Sequence, residues 1–507
     1  MATDKVWAVA FKVNVAVTVT SALYFGSTGL HALNERQSFA GYGSKPQDFS
    51  GHGDGGGGGG CGILAPTLCV VGVVSLGWLF AWRLLNMIIQ CSKEILQVAY
   101  CSSAAISGLA AVYALATEHW FGWIVPASLC AWSLHIFLRR QTRILFGSAN
   151  LKVAALAIKS MPWTLRAALL LSGVQVAWVL LSTVAAVGSM AALQVVTAPD
   201  GTVLTASTCH EFGSDDGGGR HTISCVCDGE DRILINSPCG FEAGRGSYWL
   251  GCFWLASAAW GAAVLQNLVT AMVTGSVASW WFSPGDQTSV RGALYRATHG
   301  SFGSLCKAAA VVSVVRLAVA ALRRMSKLGR CGNFLLEWLR DAVHYALTYA
   351  ICFISIYGLS LSEAGQRVSE LFRKRGMITI ANDAVVDIGL AGVVLGATLL
   401  YSIAAFFVLI AISDTLYGNA YLSPVFGTAI RDVCCSYVLV AVVVATALEV
   451  LRSGVKAVFV CFVQDPEALA ANHERKIYDE LSEAWHAMQA ECSSTISEPG
   501  HLAIQQA

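Results

Sequence analysis

Two stretches of this chain, Ala167–Pro199 and Ser247–Gly285, contain no charged residue. A helix needs only about 20 apolar residues to cross a bilayer. Each stretch is longer than one span, and a water-soluble core has no reason to hold two of them. The chain is therefore expected to lie in a membrane and to cross it many times. Composition agrees: 55% of residues are hydrophobic and 13% charged, against about 25% charged in soluble domains. The net charge of +1 provides no global field for nucleic acid or an acidic substrate. No alternating pattern of the kind a membrane β-barrel requires is visible.

The length criterion yields about ten spans, near residues 6–30, 63–89, 95–117, 119–138, 165–194, 248–282, 302–322, 342–361, 384–413 and 433–463. The expected class is an all-α polytopic bundle. Its organisation reads as a first segment and helix over 1–33, a flexible Gly-rich outer loop over 34–62, a transmembrane core over 63–463 and a cytoplasmic tail helix over 464–507. The first apolar segment has no clear cleavage site and is read as a retained helix. Small residues at Ser102–Gly108 and Gly389–Gly396 suit close helix approach. Ala468, Ile477, Leu481 and Trp485 give the tail helix one apolar face.

Basic residues mark cytoplasmic loops. Clusters at Arg139, Arg140, Arg143, Lys152 and Lys159, then at Arg291, Arg296 and Lys307, then at Arg367, Arg373, Lys374 and Arg375, fit both termini in the cytoplasm. Arg323, Arg324, Lys327 and Arg330 disagree with simple alternation. Either one of the spans near 302–322 and 342–361 fails to cross, or Gly332–Asp341 folds back at the interface.

The polar loop at 200–247 then lies outside, where its cysteines Cys209, Cys225, Cys227 and Cys239 can form disulfides in any of three connectivities. Cys209, His210, His221, Cys225 and Cys227 are zinc-ligand types, but their spacing matches no common finger, so no metal site is expected. The other cysteines sit mostly in apolar runs and read as packing residues. No P-loop, nucleophile elbow or HExxH occurs, and no paired nucleophile and base is visible. The chain does not read as an enzyme, and nothing implies a cofactor.

Ionisable residues inside spans are costly and often functional. Lys12, Arg83, Arg316, Asp387 and Glu449 qualify, and the two carboxylates could balance a cationic solute or relay a proton. Trp280 and Trp281 read as an interfacial belt. Trp178 and Trp260 fall well inside their spans, where an aromatic face could attract a quaternary ammonium.

The order of motifs resembles that of the choline-transporter-like family. Gln266–Phe282 (QNLVTAMVTGSVASWWF) is similar to the family's KNVVHVTVAGTVASWWF, and Ala293–Cys306 (ALYRATHGSFGSLC) to ALKRAxTxSFGSIC. Tyr349–Leu361 (YAICFISIYGLSL) and Val455–Leu469 (VKAVFVCFVQDPEAL) follow in the same order, with Glu370–Gly376 and Asn382-Asp383 between them. Where the family often carries a Glu and a Lys, this chain has Ala263 and Gln266, so a membrane-embedded charge pair is lost together. Thr270 stands where the family has His, and a proton-coupling role does not carry over.

The resemblance implies a solute carrier of about ten spans, with choline or a related organic cation as substrate and the bilayer as its setting, most simply the plasma membrane. On that reading Trp178, Trp260 and Tyr357 supply aromatic faces. Gln266 and Asn267 hydrogen-bond a hydroxyl, and Asp387 or Glu449 offers counter-charge. A carrier for ethanolamine, thiamine or a neutral metabolite, and a membrane scaffold without transport, remain the alternatives.

Overall fold

The computed structural model describes residues 4–41, 61–117, 123–139, 141–192, six short strands between 194 and 243, then 245–283, 289–325, 330–373, 386–393, 396 and 444–497. The glycine run at 55–60, Cys239 and most of the expected span at 384–413 lie outside these residues.

Five described helices are long and apolar enough to cross a membrane: Lys5–Gly26, Asn86–Ala116, Pro162–Met190, Trp249–Phe282 and Phe302–Arg323. A sixth is counted if the bent pair Leu335–Tyr357 and Leu361–Arg373 forms one broken span. Each of the five lies within or across a span expected from sequence. Their outward faces are apolar, as with Val6, Val9 and Val13, or Leu170, Val174 and Leu180, which suits contact with lipid.

The helices are α1 (Lys5–Gly41), α2 (Cys61–Ala116), α3 (Ile124–Arg139), α4 (Gln141–Ser160), α5 (Pro162–Ala192), α6 (Arg245–Phe282), α7 (Ser289–Tyr295), α8 (Phe302–Met325) and α9 (Arg330–Tyr357). Two expected spans, 63–89 and 95–117, meet in α2 at a kink where Cys91 leaves helical geometry. Of the dissenting basic cluster, Arg323 pairs with Glu337, and α9 ends in a sharp break. Gly358 adopts φ +69°, which only glycine takes without strain. Ser360 and Glu363 then open the next helix reciprocally, each side chain reaching the other's backbone N–H. The two helices meet at a bend of 115°, a turn that a short apolar run does not announce.

The described membrane spans are all helical, as expected, and the polar loop adds short strands. Between α5 and α6 run β1 (Gln194–Thr197), β2 (Val203–Thr205), β3 (Cys209–Asp216), β4 (Arg220–Cys227), β5 (Ile233–Ile235) and β6 (Phe241–Ala243). They form two antiparallel three-stranded sheets, ordered β2-β1-β6 and β3-β4-β5. Pairing of Gln194 with Ala243 closes the neck of the loop. Short strands rich in Val and Ile hide easily in a loop chosen for its polarity.

The chain divides into two compact units. The first comprises Met1–Gly55, Ser172–Asn267 and Phe302–Tyr345. In it α1 packs on α8 and α5. Gly188 of α5 lies so close to the Phe25 carbonyl that a Cβ there would overlap it, the small-residue approach common in membranes. Asp4 is buried at the start of α1, accepting from Ser304 Oγ at 2.7 Å and Lys307 Nζ at 3.2 Å.

The second unit comprises Gly56–Leu171, Leu268–Ser301 and Ala346–Ala507. Both expected small-residue stretches act there. Ser103 meets Ser133 of α3 at 3.3 Å, while Gly389 and Gly392 lie against Leu96 and Ala99. The tail helix (Arg475–Ser497) docks on α4 through its expected apolar face. Leu481 and Met488 are fully buried, and Trp485 packs on Phe146, Phe459 and Phe462. Lys152–Glu480 at 2.6 Å and Arg143–Glu491 at 3.3 Å border the contact.

Candidate functional site

The first unit gathers aromatic side chains from four helices. Phe11 of α1 contacts Trp178 of α5, Trp260 of α6 and Phe302 of α8, with ring centroids 6.3, 5.5 and 5.9 Å away. Trp7 meets Trp260 edge-on at 6.4 Å. Two of the expected binding residues, Trp178 and Trp260, therefore belong to one cluster, joined by a residue that sequence reading passed over. Gly261 makes room for this: a Cβ there would overlap the Trp178 indole. Ala263, at the place of the related pattern's Glu, is buried in the same apolar cluster as Phe11. A carboxylate there would be stranded among rings and methyl groups.

Polar groups line the neighbouring turn. Asn14 Oδ1 accepts from Ser257 Oγ at 2.9 Å, and Ser257 Oγ also lies 3.2 Å from Thr18 Oγ1. The Asn14 amide nitrogen and the Trp178 indole nitrogen are buried without a hydrogen-bond partner among the described residues. Trp7, Phe11, Asn14 and Thr18 follow helical spacing on one face of α1. That stripe of polar and aromatic residues in an apolar helix was the available sequence signal.

Other expected residues have different surroundings. Trp260 Nε1 donates to the Cys306 carbonyl at 3.1 Å and Asn267 Nδ2 to the Leu305 carbonyl at 3.2 Å, so both tie α6 to α8. Gln266 is half-buried beside Asn267. Tyr357 belongs to the second unit, 47% exposed and stacked on Phe353 at 6.1 Å.

Asp387 and Glu449 converge on Arg452, whose Nε donates to Asp387 and whose Nη1 donates to Glu449 at 2.8 Å. Neither carboxylate is a bare counter-charge. Arg452 was legible as the i+3 neighbour of Glu449, a spacing that brings side chains together on a helix. Lys12, Arg83 and Arg316 are exposed on their helices, as side chains that reach for an interface would be.

The aromatic pair at the end of α6 is not a lipid-facing belt. Trp281 is fully buried and its ring nitrogen donates to the Asp465 carbonyl at 3.1 Å. Asn472 donates to the Trp281 and Phe282 carbonyls, at 3.1 and 3.2 Å. His473 stacks on Trp280 at 3.8 Å, its Nε2 2.9 Å from the Trp280 carbonyl. Carbonyls at a helix C-terminus lack intrahelical partners, and residues 465–473 supply them.

In the polar loop between α5 and α6, register pairs Cys209 directly with Cys227, while Cys225 lies opposite Glu211. His221 pairs with Asp215 at the far end of the ladder. The six steps from His221 to Cys227 span about 20 Å of strand, too far for both to join one tetrahedral metal site.

Comparison with known proteins draws these observations together. The family model described as "Plasma-membrane choline transporter" matches residues 124–467. A CTL-like protein of Dictyostelium discoideum is 29% identical over 241 residues, 44% of this chain and 40% of its own length. Protein PNS1 of Debaryomyces hansenii is 25% identical over 237 residues (43% of this chain, 44% of that protein), and PNS1 of Saccharomyces cerevisiae 24% over 241 (44% and 43%). The chain thus matches less than half the length of these curated relatives. The family is one of transporters, not of enzymes, and the match covers α3 to the start of the tail. This multi-pass membrane protein belongs to the choline transporter-like family.

Proposed function

We propose that the protein carries choline or a related organic cation across the membrane by alternating access. The observation that carries this reading is the meeting of Trp178 and Trp260 around Phe11 in the first unit. Faces of this kind attract a quaternary ammonium that has shed its water, and the buried N–H groups of Asn14 and Trp178 lack acceptors among the described residues. Gln266 is the further group for a substrate hydroxyl, and Asn267 fixes α6 against α8. Asp387, Glu449 and Arg452 form a separate charged group suited to coupling or to a conformational switch.

The accompanying topology is about ten spans with both termini cytoplasmic and the stranded loop outside, in the plasma membrane. Cys209 and Cys227 are then the disulfide partners that register favours, since directly opposed strand residues lie within bridging range. Peptide mapping without reduction is expected to recover a Cys209–Cys227 link.

Saturable uptake of radiolabelled choline into liposomes holding the purified protein tests the function. Uptake is expected to exceed that of empty liposomes and to fall at least about tenfold in Trp260→Ala, the loss of one desolvated cation–π contact. Uptake no greater than in empty liposomes would sink choline as substrate. The replacement of a charged pair by Ala263 and Gln266 favours a second reading, a carrier for another small solute. Competition distinguishes the two, because an aromatic site prefers quaternary amines to neutral compounds.

A further inference from the structure

Trp178 and Trp260 are already engaged. Phe11 presses on both and is only 8% exposed. Phe302 flanks it on a third side. A phenyl ring and a trimethylammonium head are of similar width, and the same aromatic faces attract either. The first unit therefore holds, in its own side chain, an apolar stand-in for a quaternary head.

Near this ring, two donors lack acceptors among the described residues. Asn14 stands one turn from Phe11 on the same face of α1. Its carbonyl oxygen is held by Ser257 Oγ, which fixes the amide so that Nδ2 is turned elsewhere. That nitrogen is buried and without a partner among the described residues, and so is Nε1 of Trp178. Trp178 as a whole is 8% exposed. Buried polar groups are nearly always paired. The Asn14 amide, one turn along α1 from the ring that joins the cluster and without a partner among the described residues, calls for an acceptor oxygen that arrives with a ligand.

We propose that Phe11 is a displaceable plug of the aromatic site and that Asn14 selects its ligand. When Phe11 turns away, a quaternary ammonium head takes its place against Trp178 and Trp260. The ligand's hydroxyl oxygen then accepts from Asn14 Nδ2. The preferred class is a quaternary amino alcohol, ahead of a quaternary amine without the hydroxyl. This deepens the cation-carrier reading above and rests on it. Because only the plug-out fraction binds, the apparent affinity is weakened by that fraction, and trimming Phe11 strengthens binding.

Equilibrium binding of radiolabelled choline to the purified full chain, with tetramethylammonium as competitor, tests this. Phe11→Ala is expected to tighten choline binding about threefold or more, and Phe11→Leu to shift it in the same direction by less. Phe11→Trp, a larger plug, is expected to weaken it. Should Phe11→Ala not purify as a folded protein, the Leu and Trp variants carry the test by their opposite signs. Asn14→Ala is expected to weaken choline about tenfold, the worth of one hydrogen bond, while leaving tetramethylammonium unchanged.

Choline binding that is lost in Trp260→Ala but indifferent to every Phe11 variant would overturn the plug and leave the aromatic site standing. Equal losses for choline and tetramethylammonium in Asn14→Ala would overturn the selection by Asn14. Binding unaffected by Trp260→Ala, or absent from both wild type and Phe11→Ala, would sink the aromatic site itself.

Discussion

Both units cohere through rings, small residues and ion pairs, but they differ in how far their buried N–H groups are paired. Around Trp178 in the first unit, buried polar atoms of Asn14, Trp178 and Ser182 lack partners among the described residues. In the second, the last carbonyls of α6 are each engaged by Asn472 or His473. Arg452 is shared by two carboxylates. Unpaired buried donors are costly, and structures retain them mainly where a function uses them. The second unit also holds buried hydroxyls without partners among the described residues, at Thr164 and Ser453, but none of these unpaired atoms is an N–H. On the proposed reading, the unpaired N–H groups put ligand chemistry in the first unit, and the second unit supplies support.

Substitutions can break that contrast. The largest effect is expected from Trp281→Ala, which empties a fully buried site in the second unit and costs about 3–5 kcal/mol. Thermal unfolding in detergent should show a large drop in melting temperature; a neutral outcome would mean the second unit is no rigid frame. Arg452→Gln leaves Asp387 and Glu449 facing each other. The group is about a third exposed, so the cost is screened to about 1–3 kcal/mol. Adding Asp387→Asn is expected to restore part of it, and strict additivity in that cycle would deny the coupling.

Gly261→Ala sharpens the comparison from the other side. The new Cβ must displace the Trp178 indole, while alanine favours the helix by up to about 1 kcal/mol over glycine. Overpacking of about 1–3 kcal/mol, partly offset by that gain, should lower the melting temperature moderately, and choline binding should fall about tenfold. Unchanged binding would show that the seat of Trp178 is irrelevant to the ligand. Asn472→Ala removes two bonds to the end of α6 and is expected to cost about 1 kcal/mol, read as a modest fall in melting temperature. Smallest of all is Lys152→Ala at the rim of the tail contact, worth under about 1 kcal/mol and shrinking in high salt.

Much of the fold was legible because the membrane imposes a simple rule. Uncharged runs longer than a bilayer had to become helices, as Pro162–Met190 and Trp249–Phe282 did. The tail's apolar face was readable from its periodicity, and Leu481 and Trp485 are buried as expected. The strands of the polar loop were not: four of the six, such as Ile233–Ile235, have only three or four residues and carry too short a pattern. Trp281 misled because a Trp at a helix end has two common fates, and only the partner at Asp465 distinguishes them.

The candidate site divides along the same line. Sequence by itself determined the class of the chain, its family and the two tryptophans worth watching, because hydropathy and motif order are properties of contiguous residues. Tertiary structure alone decided that Phe11 joins those tryptophans, that Asn14 and Trp178 hold donors unpaired among the described residues, and that Asp387 and Glu449 share Arg452. Pairs such as Phe11 with Trp260, or Asp387 with Arg452, are far apart in sequence. Which distant helices meet depends on the packing of whole faces, and no local pattern records it.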